Sequence, residues 1–265
     1  MHALNDRQTA ILSLARASGH VEVEDLASRF GVTPQTIRRD LNALCDGSLL
    51  ARTHGGAVVS SAVENLSYEA RRQIAAPAKR AIGEAAARLI PDNSSLFITI
   101  GTTTEEVARA ITGHRDLLVI TNNINVALRL YPFPDMRVMV AGGQVRHSDG
   151  AVVGPAAIDM IRQFKVDTAI IGASAIDEDG SLLDFDPLEV TVARAIMENA
   201  RRVILVCDRS KVGRVAPVRL GHLSQVAAFV TDHLPSPRLR ALCAAHNVQL
   251  VETTPENEHP LRFQL

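Results

Sequence analysis

The pattern of apolar and polar positions in the first fifty residues predicts three consecutive helices. Apolar residues recur at helical spacing in each segment, and glycine or polar residues separate the segments. The predicted helices run from about Asp6 to Ala17, from about Val23 to Gly31, and from Thr33 to about Cys45. Asp6 and Thr33 are the predicted caps, and proline suits the first position of the third helix because its missing N–H costs nothing there.

The third predicted helix has one apolar face and one polar face. Ile37, Leu41 and Leu44 recur at i, i+4 and i+7, which defines the face that packs into the core. The polar residues lie opposite that face or beside it, and they are Gln35, Thr36, Arg38, Arg39 and Asn42. Arginine suits guanine or phosphate, and Gln and Asn suit adenine. The pattern therefore predicts a helix-turn-helix unit whose second helix contacts DNA; an ordinary solvated face is the alternative.

A hairpin is predicted directly after this helix, in the stretch "SLLARTHGGAVV". Two short apolar runs flank His54, Gly55 and Gly56, which favours a tight turn. Such a hairpin would be the wing of a winged helix, with Arg52, His54 and the turn at Gly55 directed toward the DNA backbone or minor groove. At the helix start, Thr33 and the neighbouring N–H groups favour a phosphate. A turn without any role in DNA binding is the alternative.

Beyond residue 90 the sequence alternates apolar strands with helical segments. Six strands rich in Val and Ile are predicted, in "SLFITI", "LLVITNN", "RVMVAGG", "TAIIGAS", "RVILVCD" and "AAFVTDH". This alternation predicts a mostly parallel sheet that helices cover on both faces. We therefore expect a DNA-binding domain over residues 1–60, a linker and connecting helix over 61–90, an α/β domain over 91–253, and a flexible tail over 254–265.

The residues that follow the predicted strands are candidates for a ligand site, because ligands of parallel sheets bind beyond the carboxyl ends of the strands. They are Gly101, Thr102, Thr103, Thr104, Asn122, Asn123, Gly142, Gly143, Arg146, Gly172, Ser174 and Lys211. Glycine and threonine at a helix start form a phosphate cradle. Asparagine bonds hydroxyl groups, and Arg and Lys offset anionic charge. The pattern predicts a small phosphorylated polyol or sugar, although Gly-Gly also suits a simple turn and Asn also suits a helix cap.

Composition narrows the possible functions. The 28 Lys and Arg residues nearly balance 29 Asp and Glu, so any basic surface must be local. Three widely spaced cysteines fit neither a disulfide framework nor a zinc motif. No apolar run is long enough to cross a bilayer. The polar residues Asn5, Asp6, Arg7 and Arg16 interrupt the N-terminal segment, so we do not expect it to be a signal peptide. We expect a cytoplasmic protein with no cofactor, no metal and no membrane partner.

Residues 21–58, "VEVEDLASRFGVTPQTIRRDLNALCDGSLLARTHGGAV", resemble the DNA-binding domain of the DeoR family of bacterial repressors. The strings "TIRRDL" and "HGGA" are the most distinctive. The strand-end strings are similar to the sensor domain of the same family, so the resemblance extends to about Val251. It implies a winged helix-turn-helix followed by a ribose-5-phosphate-isomerase-like α/β sensor domain. It also implies a homo-oligomer, dimer or tetramer, that binds a duplex DNA operator.

The resemblance to the isomerase fails at the residues that the enzyme uses for catalysis. "GTTT" stands at the isomerase phosphate loop, but Ser174 stands where the isomerase has an Asp. The Lys-Gly-Gly-Gly stretch of the enzyme is also missing, with "LLDFDPLE" in its place. Proton transfer needs a positioned acid and base, so the resemblance implies a sensor without catalytic residues. Asp184, Asp186 and Glu189 remain as candidates to contact ligand hydroxyls.

Two further strings narrow the expected effector. "DGSLLDFDPLEVTVARAIMEN" and "CDRSKVGR" are most similar to the branch of the family that responds to glycerol-3-phosphate, which implies that molecule as the effector. A DeoR-type regulator of another sugar-phosphate pathway stays open. So do an isomerase with an accessory domain and, for the three-helix unit, a protein-docking module.

Overall fold

The computed structural model describes residues 4–18, 20–46, 50–53, 55–59 and 68–253. The chain divides into two compact units, Met1–Ile74 and Ala75–Leu265. The elements of the first unit are α1 (Asp6–Ser18), β1 (His20–Glu22), α2 (Val23–Phe30), α3 (Pro34–Asp46), β2 (Leu50–Thr53), β3 (Gly56–Val59) and α4 (Tyr68–Gln73). The boundary that we predict near residue 60 stays a prediction, because residues 60–67 lie outside the described ranges.

The elements of the second unit are α5 (Ala76–Ala87), β4 (Ser95–Ile98), α6 (Thr102–Ala110), β5 (Leu117–Thr121), α7 (Ile124–Leu130), β6 (Met136–Val140), β7 (Gln144–Val145), β8 (Val152–Val153), α8 (Pro155–Ile161), β9 (Val166–Ile171), β10 (Ala175–Ile176), β11 (Ser181–Asp184), α9 (Pro187–Glu198), β12 (Ala200–Val206), β13 (Val218–His222), β14 (Ala228–Thr231), α10 (Pro237–Ala245) and β15 (Gln249–Glu252). Among the described residues, no helix is long and apolar enough to cross a membrane.

The first unit contains the three predicted helices and the predicted hairpin. Strands β2 and β3 pair antiparallel, and β1, which the sequence pattern does not predict, adds a third strand in the order β1-β3-β2. Gly31 ends α2 with a φ of 61°, a left-handed conformation that favours glycine at a helix C-terminus. This unit is therefore a winged helix-turn-helix, as predicted.

The cap of α1 differs from the prediction. Asn5 Oδ1 accepts a hydrogen bond from the Gln8 N–H at 2.8 Å, and the Asn5 N–H donates to Gln8 Oε1 at 3.2 Å. Asn5 therefore caps the helix through a reciprocal pair of bonds, and the predicted cap at Asp6 is wrong because Asp6 is already the first helical residue.

The second unit is built on a seven-stranded sheet with the order β15-β14-β12-β9-β4-β5-β6. Every pair of neighbours in this sheet is parallel. Side chains of β4 alternate between two apolar cores, since Phe97 belongs to one and Leu96 and Ile98 belong to the other. Helices thus cover both faces, which confirms the predicted α/β class. The pattern misses β15, the pair β7-β8 and the small sheet β10-β11-β13.

Candidate functional site

The outward face of α3 carries the side chains that we predict to contact DNA. Gln35, Arg38, Arg39 and Asn42 are exposed. The opposite face is fully buried, with Ile37, Leu41 and Leu44 at 0% exposure. Thr33 caps the helix, because the Thr36 N–H lies 3.3 Å from Thr33 Oγ1 and the two hydroxyl oxygens are 3.0 Å apart. The amphipathic helix predicted from the sequence is therefore confirmed, including its cap.

An ion pair holds the orientation of α3 from its inner side. Asp40 is buried, and its carboxylate accepts hydrogen bonds from Arg7 Nε at 2.6 Å and from Gln8 Nε2 at 3.3 Å. Both donors belong to α1. Since a buried carboxylate is costly unless it is paired, this contact fixes α1 against α3. The polar face of α3 therefore stays directed outward.

The wing strand β2 contacts the same polar face. Arg52 Nη2 donates to the carbonyl oxygen of Arg38 at 2.9 Å and to Asn42 Oδ1. Arg38 also forms a 3.6 Å ion pair with Glu24 on α2, with both side chains exposed. An exposed ion pair contributes little free energy, so a DNA phosphate can replace Glu24 as the partner of Arg38. The Arg39 side chain has no hydrogen bond or ion pair within the described part of the chain, which leaves its guanidinium group available.

The turn of the wing requires glycine. Thr53 and Gly56 pair across the hairpin, and Gly55 between the strands has a φ of +92°, a conformation that glycine adopts without strain. A Cβ at Gly56 would lie 2.0 Å from the carbonyl oxygen of Val21 on β1. His54 lies outside the described residues, so its contact with DNA stays a prediction.

The residues that we predict to bind the effector lie along one edge of the parallel sheet. Because the strands are parallel, their carboxyl ends meet at this edge. In spatial order the loops are 208–211 after β12, 172–174 after β9, 101–104 after β4, 122–123 after β5 and 142–143 after β6. Neighbouring strands are about 4.8 Å apart, so the five loops span about 20 Å. The loop after β4 lies in the middle.

The loop after β4 has the backbone of an anion cradle. Gly101 has a φ of +137° and directly precedes α6, whose first N–H groups belong to Thr102 and Thr103. Helix N-termini attract anions through the N–H groups of their first turn. The Thr104 hydroxyl lies 2.8 Å from the carbonyl oxygen of Thr99 and 2.7 Å from that of Gly101. Thr104 is thus bonded to its own loop, and it shapes the cradle.

The two asparagines after β5 differ in their contacts. Asn123 Oδ1 caps α7 by accepting from the Asn125 N–H at 2.9 Å, and Asn123 Nδ2 donates to Glu105 Oε1 at 3.2 Å. This is the helix cap that the sequence offered as the alternative. Asn122 Nδ2 donates to the Val152 carbonyl at 3.1 Å, while Asn122 Oδ1 is buried and has no hydrogen-bond partner among the described residues. A buried acceptor without a donor is costly, so a ligand hydroxyl is favoured beside Asn122.

Arg146 is enclosed by three carboxylates. It donates to both oxygens of Asp149 at 2.9 and 2.7 Å, to Glu189 at 2.8 Å, and to Asp186. Burial by itself lowers the pKa of a guanidinium group, but the hydrogen bonds that Arg146 donates to Asp149 and Glu189 outweigh it and raise the pKa of Arg146 above its ordinary value. The cluster is anionic as a whole, so Arg146 alone does not supply positive charge for an anionic ligand. Asp149, in a "DG" turn, is a contributor that the sequence analysis did not single out.

Ser174, the last residue of the loop after β9, contacts Asp184 at the end of β11. The Ser174 hydroxyl donates to Asp184 Oδ1 at 2.9 Å, and the Phe185 N–H donates to the same oxygen at 2.8 Å. Arg214 donates to the Ser174 carbonyl at 3.3 Å and stacks over Phe185, with 5.1 Å from Cζ to the ring centroid. Ser174 therefore orients Asp184. Arg214 is a second residue that the sequence analysis missed, although "KVGR" follows the "DRSK" string.

The predicted glycines at positions 142, 143 and 172 differ in whether the backbone requires glycine there. Gly143 has a φ of +148°, and a Cβ there would lie 2.8 Å from the carbonyl oxygen of Val153. Gly143 thus permits the close approach of β8. Gly142 has open space around its Cα, and a Cβ at Gly172 would meet only ordinary van der Waals contacts. Of the three, Gly143 is required by the backbone.

Lys211 lies beside Asp208, a buried carboxylate that the sequence analysis did not name as a site residue. Asp208 Oδ1 accepts from the Ser210 N–H at 3.0 Å and from the Ser210 hydroxyl. Burial by itself raises the pKa of a carboxyl group, but the ammonium groups of Lys211 and Lys79 and the bonds from Ser210 hold the pKa of Asp208 below its ordinary value. The Asp208 carboxyl group is therefore ionised, and the charges of both lysines stabilise this form.

Known protein families match both units of the chain. The DeoR-like helix-turn-helix domain matches residues 7–63, and the DeoR C-terminal sensor domain matches residues 74–233. Each match covers the candidate residues of its unit that the structure describes.

Curated relatives match almost the full chain. It is 45% identical over 244 residues to the "Glycerol-3-phosphate regulon repressor" of Escherichia coli (strain K12), covering 92% of this chain and 97% of that protein. It is 46% identical over 229 residues to the protein of the same name from Haemophilus influenzae, covering 86% and 89%. These relatives are repressors, which agrees with the expectation that the chain is not an enzyme. Among solved structures, ribose 5 phosphate isomerase A from Neisseria gonorrhoeae matches with a TM-score of 0.39 and 14% identity, covering 51% of this chain and 53% of that one.

Proposed function

The chain belongs to the DeoR family of transcriptional regulators, and from this membership we propose that it is a repressor which glycerol-3-phosphate releases from its DNA operator. The exposed row of Gln35, Arg39 and Asn42 on a capped helix carries the proposal. The polar and charged groups at the carboxyl ends of the strands in the second unit support the proposal that the effector is small and polar. Two relatives named as glycerol-3-phosphate regulon repressors support the choice of that molecule.

The first unit binds the operator through α3 and the wing. The N-terminal half of α3 enters the major groove, as the second helix of a helix-turn-helix does. Arg39, Gln35 and Asn42 contact base edges, and the Thr33 end of the helix contacts a phosphate. Arg38 and Arg52 exchange their weak internal contacts for the DNA backbone. Binding therefore depends strongly on salt concentration, because it releases counterions from the phosphates.

The second unit binds the effector at the carboxyl ends of its strands. The phosphate group lies at the N-terminus of α6, where Lys211 supplies positive charge. The hydroxyl groups of the glycerol moiety donate to Asn122 Oδ1 and to the carboxylates around Arg146. This division follows the charges at the edge, since the Arg146 cluster is anionic and repels a phosphate.

Release requires that the effector bind more tightly to a conformation that fits the operator poorly. Such coupling is typically about 1–3 kcal/mol, which corresponds to about a 5- to 150-fold change in operator affinity. The same factor applies in reverse, so operator DNA weakens effector binding equally.

The proposed repressor acts in the cytoplasm as a homo-oligomer, a dimer or a tetramer. Two helix-turn-helix units in one assembly contact half-sites that are one helical turn of DNA apart, or a multiple of it. A chain that sediments as a monomer at operator-binding concentrations would contradict this assembly.

A thermal-shift screen against triose, pentose and hexose phosphates tests the effector. A ligand that binds only the folded state raises the melting temperature, and the rise grows with its concentration over Kd. We expect glycerol-3-phosphate to give the largest rise, and glycerol, which has no phosphate, to give almost none. A pentose or hexose phosphate that stabilises the protein more than glycerol-3-phosphate does would assign a different effector.

A further inference from the structure

The strand at one edge of the seven-stranded sheet, β6, lies in a surface rich in apolar side chains. Nine large apolar side chains are exposed in the described part of the chain, and six of them lie between residues 128 and 145. These six form what we call the β6 patch, and they are Leu128, Tyr131, Phe133, Met139, Val140 and Val145. The strand at the opposite edge, β15, has no such side chain. Single exposed apolar residues are normal, but a cluster of them marks an interaction surface.

The backbone of β6 has hydrogen-bonding groups on its outer side that no described residue uses. On the inner side, the Asp135 carbonyl oxygen accepts from β5 at 3.0 Å, and the Ala141 N–H donates to β5 at 2.9 Å. The direction of these groups alternates along a strand, so the N–H and C=O groups of Val138 and Val140 point away from β5. Among the described strands, β6 pairs with β5 alone. An open edge of this kind binds a further strand.

A second copy of β6 fits this edge in an antiparallel register centred on Met139. Val138 of each copy then lies opposite Val140 of the other, and each facing pair exchanges both of its N–H···O bonds. In the same register the two Met139 side chains meet, and Phe133 of one copy is the counterpart of Val145 of the other. Apolar side chains therefore face apolar side chains along the whole contact. A two-fold relation of this kind closes at two copies.

Neighbouring registers fit less well. Centring the pair on Arg137 would place two arginine side chains opposite each other, and like charges directly opposite are destabilising. Centring it on Val138 would place Val140 opposite Met136, whose N–H already donates to the Phe133 carbonyl at 3.0 Å. That register would lose a hydrogen bond in each copy. The backbone and the charges therefore both favour the centre at Met139.

Helix α7 provides a second contact in the same arrangement. It connects β5 to β6, so its axis would lie about 5 Å from the two-fold axis, given the spacing of neighbouring strands. Two copies of α7 would then be about 10 Å apart, which is a packing distance for helices. Asn125 donates to Glu105 of α6 at 3.2 Å, which identifies the side of α7 that faces α6. At about 100° per residue, Tyr131 lies on the other side, directed toward the second copy, with Leu128 beside it.

The β6 patch is large enough for a stable dimer. Its side chains expose between 37% and 67% of their surface, which amounts to roughly 500 Å² at about 100–200 Å² for each side chain. A standard interface buries about 800 Å² on each partner. Homodimer interfaces are about 65% apolar, so a dimer of this size also needs roughly 500 Å² of apolar surface from each copy.

We propose that the protein forms a two-fold dimer through the β6 patch, in which the β6 strands of two copies pair antiparallel around Met139 and join the two sheets into one. The inference rests on the proposed function, because a helix-turn-helix repressor contacts two half-sites only as an assembly. It identifies the surface that brings two copies together. None of the proposed DNA-binding or effector-binding residues belongs to the patch.

Met139→Lys tests the proposal, with Val215→Lys as the matched control. Met139 and Val215 are 37% and 63% exposed, so a lysine at either position keeps its ammonium group in water in the single chain. In the dimer, the two lysines at position 139 would face each other, and like charges across an interface are strongly unfavourable. In sedimentation-velocity runs over a range of concentrations, we expect Met139→Lys to raise the dissociation constant of the dimer about 100-fold or more. Val215→Lys should leave it within about twofold.

Two results of this experiment would overturn the proposal. If Met139→Lys assembles as tightly as the unaltered protein, the copies meet through another surface, while the proposed repressor and its effector stand. If the unaltered protein is a monomer at operator-binding concentrations, both the β6 dimer and the proposed assembly fail.

Disulfide cross-linking tests the register without destabilising the interface. At the centre of the proposed pair, the two Cα atoms of Met139 would lie about 4.5 Å apart, within the range of about 4.4–6.8 Å that a disulfide spans. We expect Met139→Cys to form a cross-linked dimer under mild oxidation, and Val215→Cys to show only the background of the unaltered protein. That background should be low, since the native Cys207 and Cys243 are buried and Cys45 is half-buried. A yield of dimer from Met139→Cys no higher than that from Val215→Cys would contradict the β6 pairing.

Discussion

Replacing Arg39 with alanine is expected to weaken operator binding by about 5- to 150-fold, because the loss of one base-contacting arginine costs about 1–3 kcal/mol. Arg39 is exposed on α3 and has no bond of its own to give up within the described residues. The affinity for glycerol-3-phosphate should not change, since the effector residues belong to the second unit. Fluorescence anisotropy with labelled operator DNA, at one fixed salt concentration, measures the first effect, and calorimetry measures the second.

Arg201→Ala is the matched control for this experiment. Arg201 is also exposed, and its only ion pair among the described residues is with Asp167 at 3.7 Å on the second unit. It should bind the operator within about twofold of the unaltered protein, as exposed pairs contribute little. Equal operator affinity in Arg39→Ala and the unaltered protein would remove α3 as the helix that reads DNA.

Replacing Lys211 with alanine is expected to leave a repressor that glycerol-3-phosphate releases poorly. Hydrogen bonds to charged groups contribute about 1.5–3 kcal/mol, so the effector concentration for half-release should rise about 10- to 100-fold. Operator affinity without effector should stay the same, because Lys211 lies at the sheet edge of the second unit. Operator-release titrations with increasing glycerol-3-phosphate give both quantities.

Lys165→Ala provides the control for the loss of a lysine, and it should respond to the effector as the unaltered protein does. Normal release in Lys211→Ala would exclude Lys211 from the effector site. Weaker operator binding by Lys211→Ala in the absence of effector would instead indicate that the substitution disturbs the fold, for which the loss of a partner for Asp208 is the physical reason.

The sequence predicted best the features that depend on local periodicity. The buried face of α3 at Ile37, Leu41 and Leu44 follows from the spacing of 3.6 residues per turn, and all three side chains are fully buried. The parallel sheet follows in the same way from alternating strands and helices. Strand β1 was missed because three residues carry too little pattern, and its pairing with β3 joins residues far apart in the sequence.

The chemistry of the sheet edge depended on tertiary contacts and was harder to predict. The sequence indicated that Arg146 offsets negative charge, but three carboxylates from two separate segments already surround it. For Lys79 the sequence pattern indicates exposure, whereas the structure buries the side chain. In the stretch "APAKRAIGEAAA" it has the pattern of a solvated lysine, and only the close approach of α6 at Gly83 places it in the interior.

One titration joins the DNA-binding surface to the effector site. Labelled operator DNA is first saturated with the unaltered protein, and glycerol-3-phosphate is then added at constant salt concentration. We expect the operator affinity to fall about 5- to 150-fold, the usual range of coupling between two sites, with no comparable effect from glycerol. Operator affinity that stays constant while calorimetry shows glycerol-3-phosphate bound to the same protein would contradict release by this effector.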